Sequence, residues 1–158
     1  MKKFFVILAA LVAFGISANA QRSNTVYASA GVINRFGDAG LNPGAILAVG
    51  FRNYNPDSFV SFSYGAEAMG LWLPDGGANS FGFYGVPEIG VTIGSKNFKV
   101  FPHTGFMMGY GTDRPGAFGR GIKSGLGFDI GRHITLDFSS YYTFNTKWTS
   151  AVNFVYRF

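Results

Sequence analysis

Cysteine is missing from the chain altogether, and charged residues supply only 13% of its positions. The first absence excludes a disulfide scaffold, so a small exported domain of this kind must take its stability from a core, a membrane or a partner. The second is about half the share of charge in ordinary soluble domains. The 13 Lys and Arg outnumber the 8 Asp and Glu, but they lie scattered, with none of the runs or stripes that track a nucleic-acid backbone. Beyond Gln21 there is no convincing 3.6-residue period. Familiar catalytic signatures are also missing: no Gly-x-Ser-x-Gly elbow, no P-loop and no His-Glu-x-x-His.

What is abundant points one way. Glycine reaches 23 residues and aromatics 18% of the chain. The glycines are interleaved with Phe, Tyr, Val and Ile, which disordered segments lack, so a β-rich protein in contact with lipid is the better fit.

The N-terminus reads as a signal peptide. Lys2 and Lys3 precede an apolar run from Phe4 to Ile16, and Ala18-Asn19-Ala20 places small residues where a signal peptidase reads them. The run is too short for a spanning helix. Cleavage after Ala20 is expected, leaving residues 21–158 as a single domain with a formal charge of +3, from 11 Lys and Arg against 8 acids.

In that domain a two-residue alternation recurs, which sends successive side chains to opposite faces of a strand. Trp148, Ser150, Val152, Phe154, Tyr156 and Phe158 oppose Thr149, Ala151, Asn153, Val155 and Arg157. Ile134, Leu136, Phe138, Ser140 and Tyr142 oppose Thr135, Asp137, Ser139 and Tyr141 in the same way. The pattern continues backwards through segments around residues 122–130, 98–110, 81–93 and 62–72. Val26 to Ile33 is a weaker strand, and Ala45 to Arg52 is apolar on both faces over part of its length, leaving its parity open. Pro87 and Pro102 lie inside strands four and five, where each should mark a bulge or a break in pairing. Turn chemistry separates about eight strands, at 35–43, 53–57, 74–79, 94–97, 112–120, 131–133 and 145–147, and the first six connections alternate longer and shorter.

The quality of the faces separates a membrane barrel from a soluble, lipocalin-like one, which keeps its apolar face inward. Here one face carries large aromatics. The other carries Gly, Ser, Thr and isolated charges: Glu67, Glu88, Asp129 and Asp137 against Lys99, Lys123 and Arg157, with His103 as an eighth member. Near-balanced charges suit a narrow lumen where ions pair, since an unpaired buried ion costs several kcal/mol. Trp72, Tyr110, Tyr142 and Trp148 fall near strand ends that meet the outer connections, the last of which is short, and Tyr156 and Phe158 at the opposite ends, as two interfacial girdles would. In hydrocarbon every backbone group needs a partner, so the sheet must close. The expectation is an all-β, closed, antiparallel, up-and-down transmembrane barrel.

At this point the chain resembles the eight-stranded outer-membrane barrels, the OmpA membrane domain and OmpX-like proteins. The resemblance rests mainly on Phe154, Tyr156 and Phe158, which match the terminal aromatic and alternating hydrophobics of the family's last strand. Asn153 stands where a glycine often occurs earlier in that signal. The resemblance implies insertion into the bacterial outer membrane, with outer-membrane lipid as surroundings and recognition of the last strand by the barrel assembly machinery.

For chemistry, His103 is a lumenal candidate for a general base, followed by Thr104 and Gly105 rather than serine; a structural histidine bonded to Glu88 or Glu67 is the plainer reading. His133 lies in a turn, the Gly116–Gly121 stretch has no helix after it to cradle phosphate, and Asp38, Asp57, Asp75 and Asp113 sit singly in separate connections. No cofactor, metal or nucleic acid is expected, and no enzymatic activity. The expected role is structural or interactive, with a side-chain-filled lumen and an unidentified envelope partner. The alternatives are a narrow pore, a lipid-modifying enzyme centred on His103, and a secreted ligand-binding barrel.

Overall fold

The computed structural model describes residues 23–35, 43–75, 78–112, 118–143 and 148–158. The segment read as a signal peptide, with its cleavage point, lies outside the described residues. Eight antiparallel strands follow one another: β1 (Ser23–Arg35), β2 (Gly44–Tyr54), β3 (Val60–Asp75), β4 (Ala78–Ser95), β5 (Phe98–Gly111), β6 (Phe118–Ile130), β7 (Ile134–Thr143) and β8 (Thr149–Arg157). Each pairs with its sequence neighbours, and β1 pairs with β8 from Tyr27↔Arg157 to Arg35↔Thr149, which closes the barrel. Closure leaves no exposed sheet edge.

One rim, the turn end, carries the short connections around residues 55–59, 96–97 and 131–133 together with the chain's C-terminus. There the Phe158 amide donates to the Val26 carbonyl at 2.9 Å. Gly131 opens the β6–β7 turn with φ near 60°, a left-handed conformation that glycine adopts without steric cost. The opposite rim, the loop end, carries the strand ends Arg35 and Gly44, Asp75 and Ala78, Gly111 and Phe118, and Thr143 and Thr149.

Pairing runs further than turn chemistry implied in several places: Asn53 and Tyr54, Gly94 and Ser95, and Phe118 to Arg120 all lie in ladders. The segment 74–79, expected to be a loop, is largely paired, through Pro74↔Asn79 and Asp75↔Ala78, because β3 and β4 outlast their other neighbours at the loop end. The two internal prolines fall in the same seam. The β4–β5 ladder keeps one register from Gly82↔Gly111 to Ser95↔Phe98, with gaps opposite Pro87 and again opposite Pro102. No residue is inserted, so the prolines interrupt the ladder without a bulge. Each remains paired on its other side, Ala66↔Pro87 and Pro102↔Leu126.

The alternation sorts side chains between wall and lumen. Large hydrophobic residues cover the outside: Leu47, Phe83 and Tyr110 are each more than 60% exposed. The parity of β2, open from sequence, is settled: Ile46, Ala48 and Arg52 face inward while Leu47, Val49 and Phe51 face outward. The lumen itself is tiered. Towards the loop end it holds an apolar plug including Ile33, Ile46, Met69, Leu71, Val86 and Met107, with Tyr84 packed against it. Towards the middle and the turn end it is ionic.

Candidate functional site

Alternate positions on a strand point inward, so each strand delivers a lumenal charge at a level set by register. All eight charged or titratable residues assigned to the lumen from sequence (Glu67, Glu88, Lys99, His103, Lys123, Asp129, Asp137 and Arg157) have buried side chains in the structure. They do not form a single cluster.

Near the turn end, Asp129 receives Arg52 Nη2 at 2.6 Å, Arg157 Nη1 at 3.2 Å and the Thr135 hydroxyl at 2.5 Å. Arg157 also donates to the carbonyls of Gly131 at 2.8 Å and Ile134 at 3.0 Å, which fastens the last strand to the β6–β7 turn. The Arg52 guanidinium lies 4.2 Å from the centre of the Phe101 ring, within cation–π range. Arg52 was missed from sequence because β2 is apolar on both faces over part of its length, so nothing fixed the side it takes. Lys99, opposite Asp129 in the β5–β6 register, turns to backbone instead: its Nζ donates to the Ser58 carbonyl at 2.6 Å and caps a turn.

In the middle of the lumen, Lys123 donates to Glu67 at 2.7 Å and to Glu88 at 3.3 Å, and Tyr27 donates its hydroxyl proton to Glu67 at 3.0 Å. His103 pairs through Nε2 with Asp137 Oδ1 at 2.7 Å, while its Nδ1 lies 3.5 Å from Glu88. The expected partner of His103 was Glu88 or Glu67; the close one is Asp137. Ser139 donates to Oδ2 of the same carboxylate at 2.5 Å, and Asn153 does so at 3.3 Å. Serine and histidine therefore share an acid, with no hydrogen bond between the two among the described residues.

Glycine makes these reaches possible. Gly50 lies between Tyr27 and Glu67 in register, Gly105 between Glu88 and Lys123, and Gly125 between His103 and Ser139. A Cβ on Gly125 would meet His103 Nε2 at 2.5 Å and Ser139 Oγ at 2.7 Å; one on Gly50 would meet the Tyr27 hydroxyl at 2.7 Å. Each missing side chain lets a longer one cross its strand to the next, the small–large alternation a narrow barrel interior requires. The space left is a cavity of about 30 Å³ lined by Arg52, Glu67, His103, Lys123 and Asn153 among others. That admits one or two water molecules and nothing larger.

The remaining sequence-predicted residues lie on the outside. Trp72, Tyr110 and Trp148 are exposed and Tyr142 half-exposed, all towards the loop end; Phe154, Tyr156 and Phe158 are exposed along β8 towards the turn end. Tyr142 and Trp148 pack against each other with ring centres 4.9 Å apart and planes tilted by 36°. Among the described residues no group of three or more His, Asp or Glu side chains is arranged to hold a metal ion.

The chain matches no known protein family and no curated protein. It does match solved structures, among them the outer membrane enzyme PagL. That superposition has a TM-score of 0.58 at 11% identity and covers 84% of this chain and 97% of PagL. At this identity the likeness is one of fold: both are closed antiparallel barrels. It corrects the expectation that the chain has no enzymatic activity. That expectation rested on missing motifs, and a barrel of this architecture is an enzyme without belonging to any of the soluble folds those motifs describe. The narrower resemblance to the OmpA membrane domain and OmpX-like proteins finds no family match to support it.

Proposed function

We propose that the protein is an integral barrel of the bacterial outer membrane, exported with loss of residues 1–20, with a filled lumen and a structural or interaction role in the envelope. One observation carries this reading: the barrel is inverted relative to a soluble one, with Leu47, Phe83, Tyr110, Phe138 and Phe154 turned outward and Glu67, Lys123, Asp129 and Asp137 sealed inside. In water that arrangement would leave a broad apolar surface wet and bury ions to no advantage. In a bilayer both choices are favourable. The fold shared with an outer membrane protein and the terminal aromatics of β8 support the same location. Because the lumen is filled, any partner or substrate is met at the outer wall or at the strand ends.

Fractionation tests the proposal. The protein should stay in carbonate-washed outer-membrane pellets and migrate faster on gels when unheated than when boiled. Release by carbonate would defeat the membrane reading. A narrow pore is the second reading, favoured by the charged side chains of Arg52, Glu67, Lys123 and Asp137 around the lumenal cavity. Discrete conductance steps in planar bilayers would establish it in place of the filled lumen.

A further inference from the structure

The β4–β5 seam differs from the rest of the wall in more than its prolines. Among the described residues every other ladder pairs without a gap. This one skips Val86 and Pro87 opposite Phe106 and Met107, and again Val91 and Thr92 opposite Phe101 and Pro102. Proline has no amide to donate. A Cβ on Gly105 would lie 2.7 Å from the Pro87 carbonyl oxygen, so Pro87 turns its backbone groups towards β5 and the missing donor is lost from this seam. In hydrocarbon no water replaces it.

The two gaps are not equivalent. Behind the Pro102 gap the lumenal side chains are pinned: the Thr92 hydroxyl donates to the Ser61 carbonyl at 3.2 Å, and Phe101 stacks on His103 while holding Arg52 over its ring. Parting the strands there would disturb the ionic tier. Behind the Pro87 gap lie Val86 and Met107, both fully buried members of the apolar plug. They are held by packing, and methionine repacks readily. On the outside the approach is clear. Gly85 faces outward, and a Cβ on it would meet only the Met108 carbonyl oxygen, at 3.9 Å. Register sets Ala68 beside Gly85 and Ala66 beside Pro87, and these two alanines line an open depression in the wall with Val49 and Phe51. Small residues outside, a gap in the ladder and a movable apolar pair inside thus coincide at one level, near the middle of β4.

From this coincidence, and resting on the membrane location proposed above, we propose that the β4–β5 seam at Pro87 is a lateral gate. Through it an uncharged molecule no wider than a hydrocarbon chain passes between the bilayer and the loop-end half of the lumen. In the closed state Val86 and Met107 fill the space behind the gap. When the strands part at the unpaired residues, these two side chains move aside and the entering molecule takes over their contacts. The lining sets the class of molecule: the side chains of Pro87, Phe106, Val86 and Met107 offer neither charge nor a strong hydrogen bond, so an ion or a sugar finds nothing to replace its hydration. Opening at this level leaves the ion pairs of Lys123 and Asp129 in place.

The chain has no cysteine, so a single introduced thiol reports access without background. In the liposome-inserted barrel, V86C is treated with hexyl methanethiosulfonate, which partitions into the bilayer, or with its trimethylammonium-ethyl analogue, which stays in water. The thiolate attacks the reagent's sulfenyl sulfur, a disulfide forms and methanesulfinate leaves, so intact mass reads the product. A48C, lumenal behind the unbroken β1–β2 and β2–β3 ladders, is the reference. The hexyl reagent should modify V86C about tenfold faster than A48C, and P87V should slow that reaction about fivefold, the change expected for one restored ladder bond. The charged reagent should modify neither cysteine. Equal rates at the two cysteines overturn the proposal, and so does a rate at V86C that P87V leaves unchanged. Faster modification by the charged reagent also overturns it, since access would then be along the barrel axis. Heat-modifiable mobility establishes that each variant is folded; where P87V does not fold, the comparison of V86C with A48C decides alone. Failure of the wild type to insert into liposomes overturns this proposal together with the membrane reading; normal insertion with equal rates overturns this one alone.

Discussion

Lys123 is the residue on which the middle of the lumen turns. It is one cation between two buried carboxylates, Glu67 and Glu88, with Tyr27 on the far side of the first. Removing one partner of a buried ionic set leaves charge uncompensated, which costs about 3–5 kcal/mol, whereas replacing the whole set with neutral groups is close to neutral. K123M should therefore lower the urea midpoint of the bilayer-inserted barrel by an amount corresponding to several kcal/mol. The triple variant K123M/E67Q/E88Q should regain most of that loss. A K123M barrel as stable as the wild type would mean that the two acids are not held by this lysine. Arg157 is a different case at the same scale: its bonds to the Gly131 and Ile134 carbonyls show a lumenal charge serving to fasten an element.

At the scale of the element, the β4–β5 seam is where the wall is least bonded. Both strand prolines interrupt it, Pro102 on its β4 side while its pairing with Leu126 on β6 persists. Restoring an amide there should add a ladder bond worth about 0.5–1.5 kcal/mol. P102V is accordingly expected to slow amide exchange in β4 around residues 90–92 and to raise the unfolding midpoint. Exchange that is unchanged or faster would show that the seam is held by something other than the ladder. The strands themselves were largely legible in the sequence. From β3 to β8 the alternation of Phe, Leu and Ile with Gly, Ser, Thr and charge reports the two faces directly, since a strand cannot place neighbours on the same side. Legibility failed where the lumen is apolar. Ile46 and Ala48 face the loop-end plug while Leu47 and Val49 face outward, so β2 shows no contrast and Arg52 was left without a side. Met69, Val86 and Met107 were passed over for the same reason. Register also lay beyond the sequence: that His103 reaches Asp137 depends on Gly125 lying between His103 and Ser139, a cross-strand fact with no local signal.

For the whole molecule, the two lumenal tiers act in series. Apolar side chains fill the loop-end half, Ile33 and Met107 without measurable exposure, and the ionic half closes the remainder around a cavity of about 30 Å³. An ion crossing the barrel must pass both tiers. The first denies it water and the second presents charges already neutralised by partners. Thinning either tier alone leaves the other in place, so M69A/M107A and, separately, R52A/R157A should each remain silent in planar bilayers. Both pairs of substitutions together should give measurable conductance, an effect larger than the sum of two silent changes. Conductance from M69A/M107A by itself would show that the ionic half already admits a continuous file of water. The apolar plug would then be the single barrier, and the narrow-pore reading would replace the filled lumen.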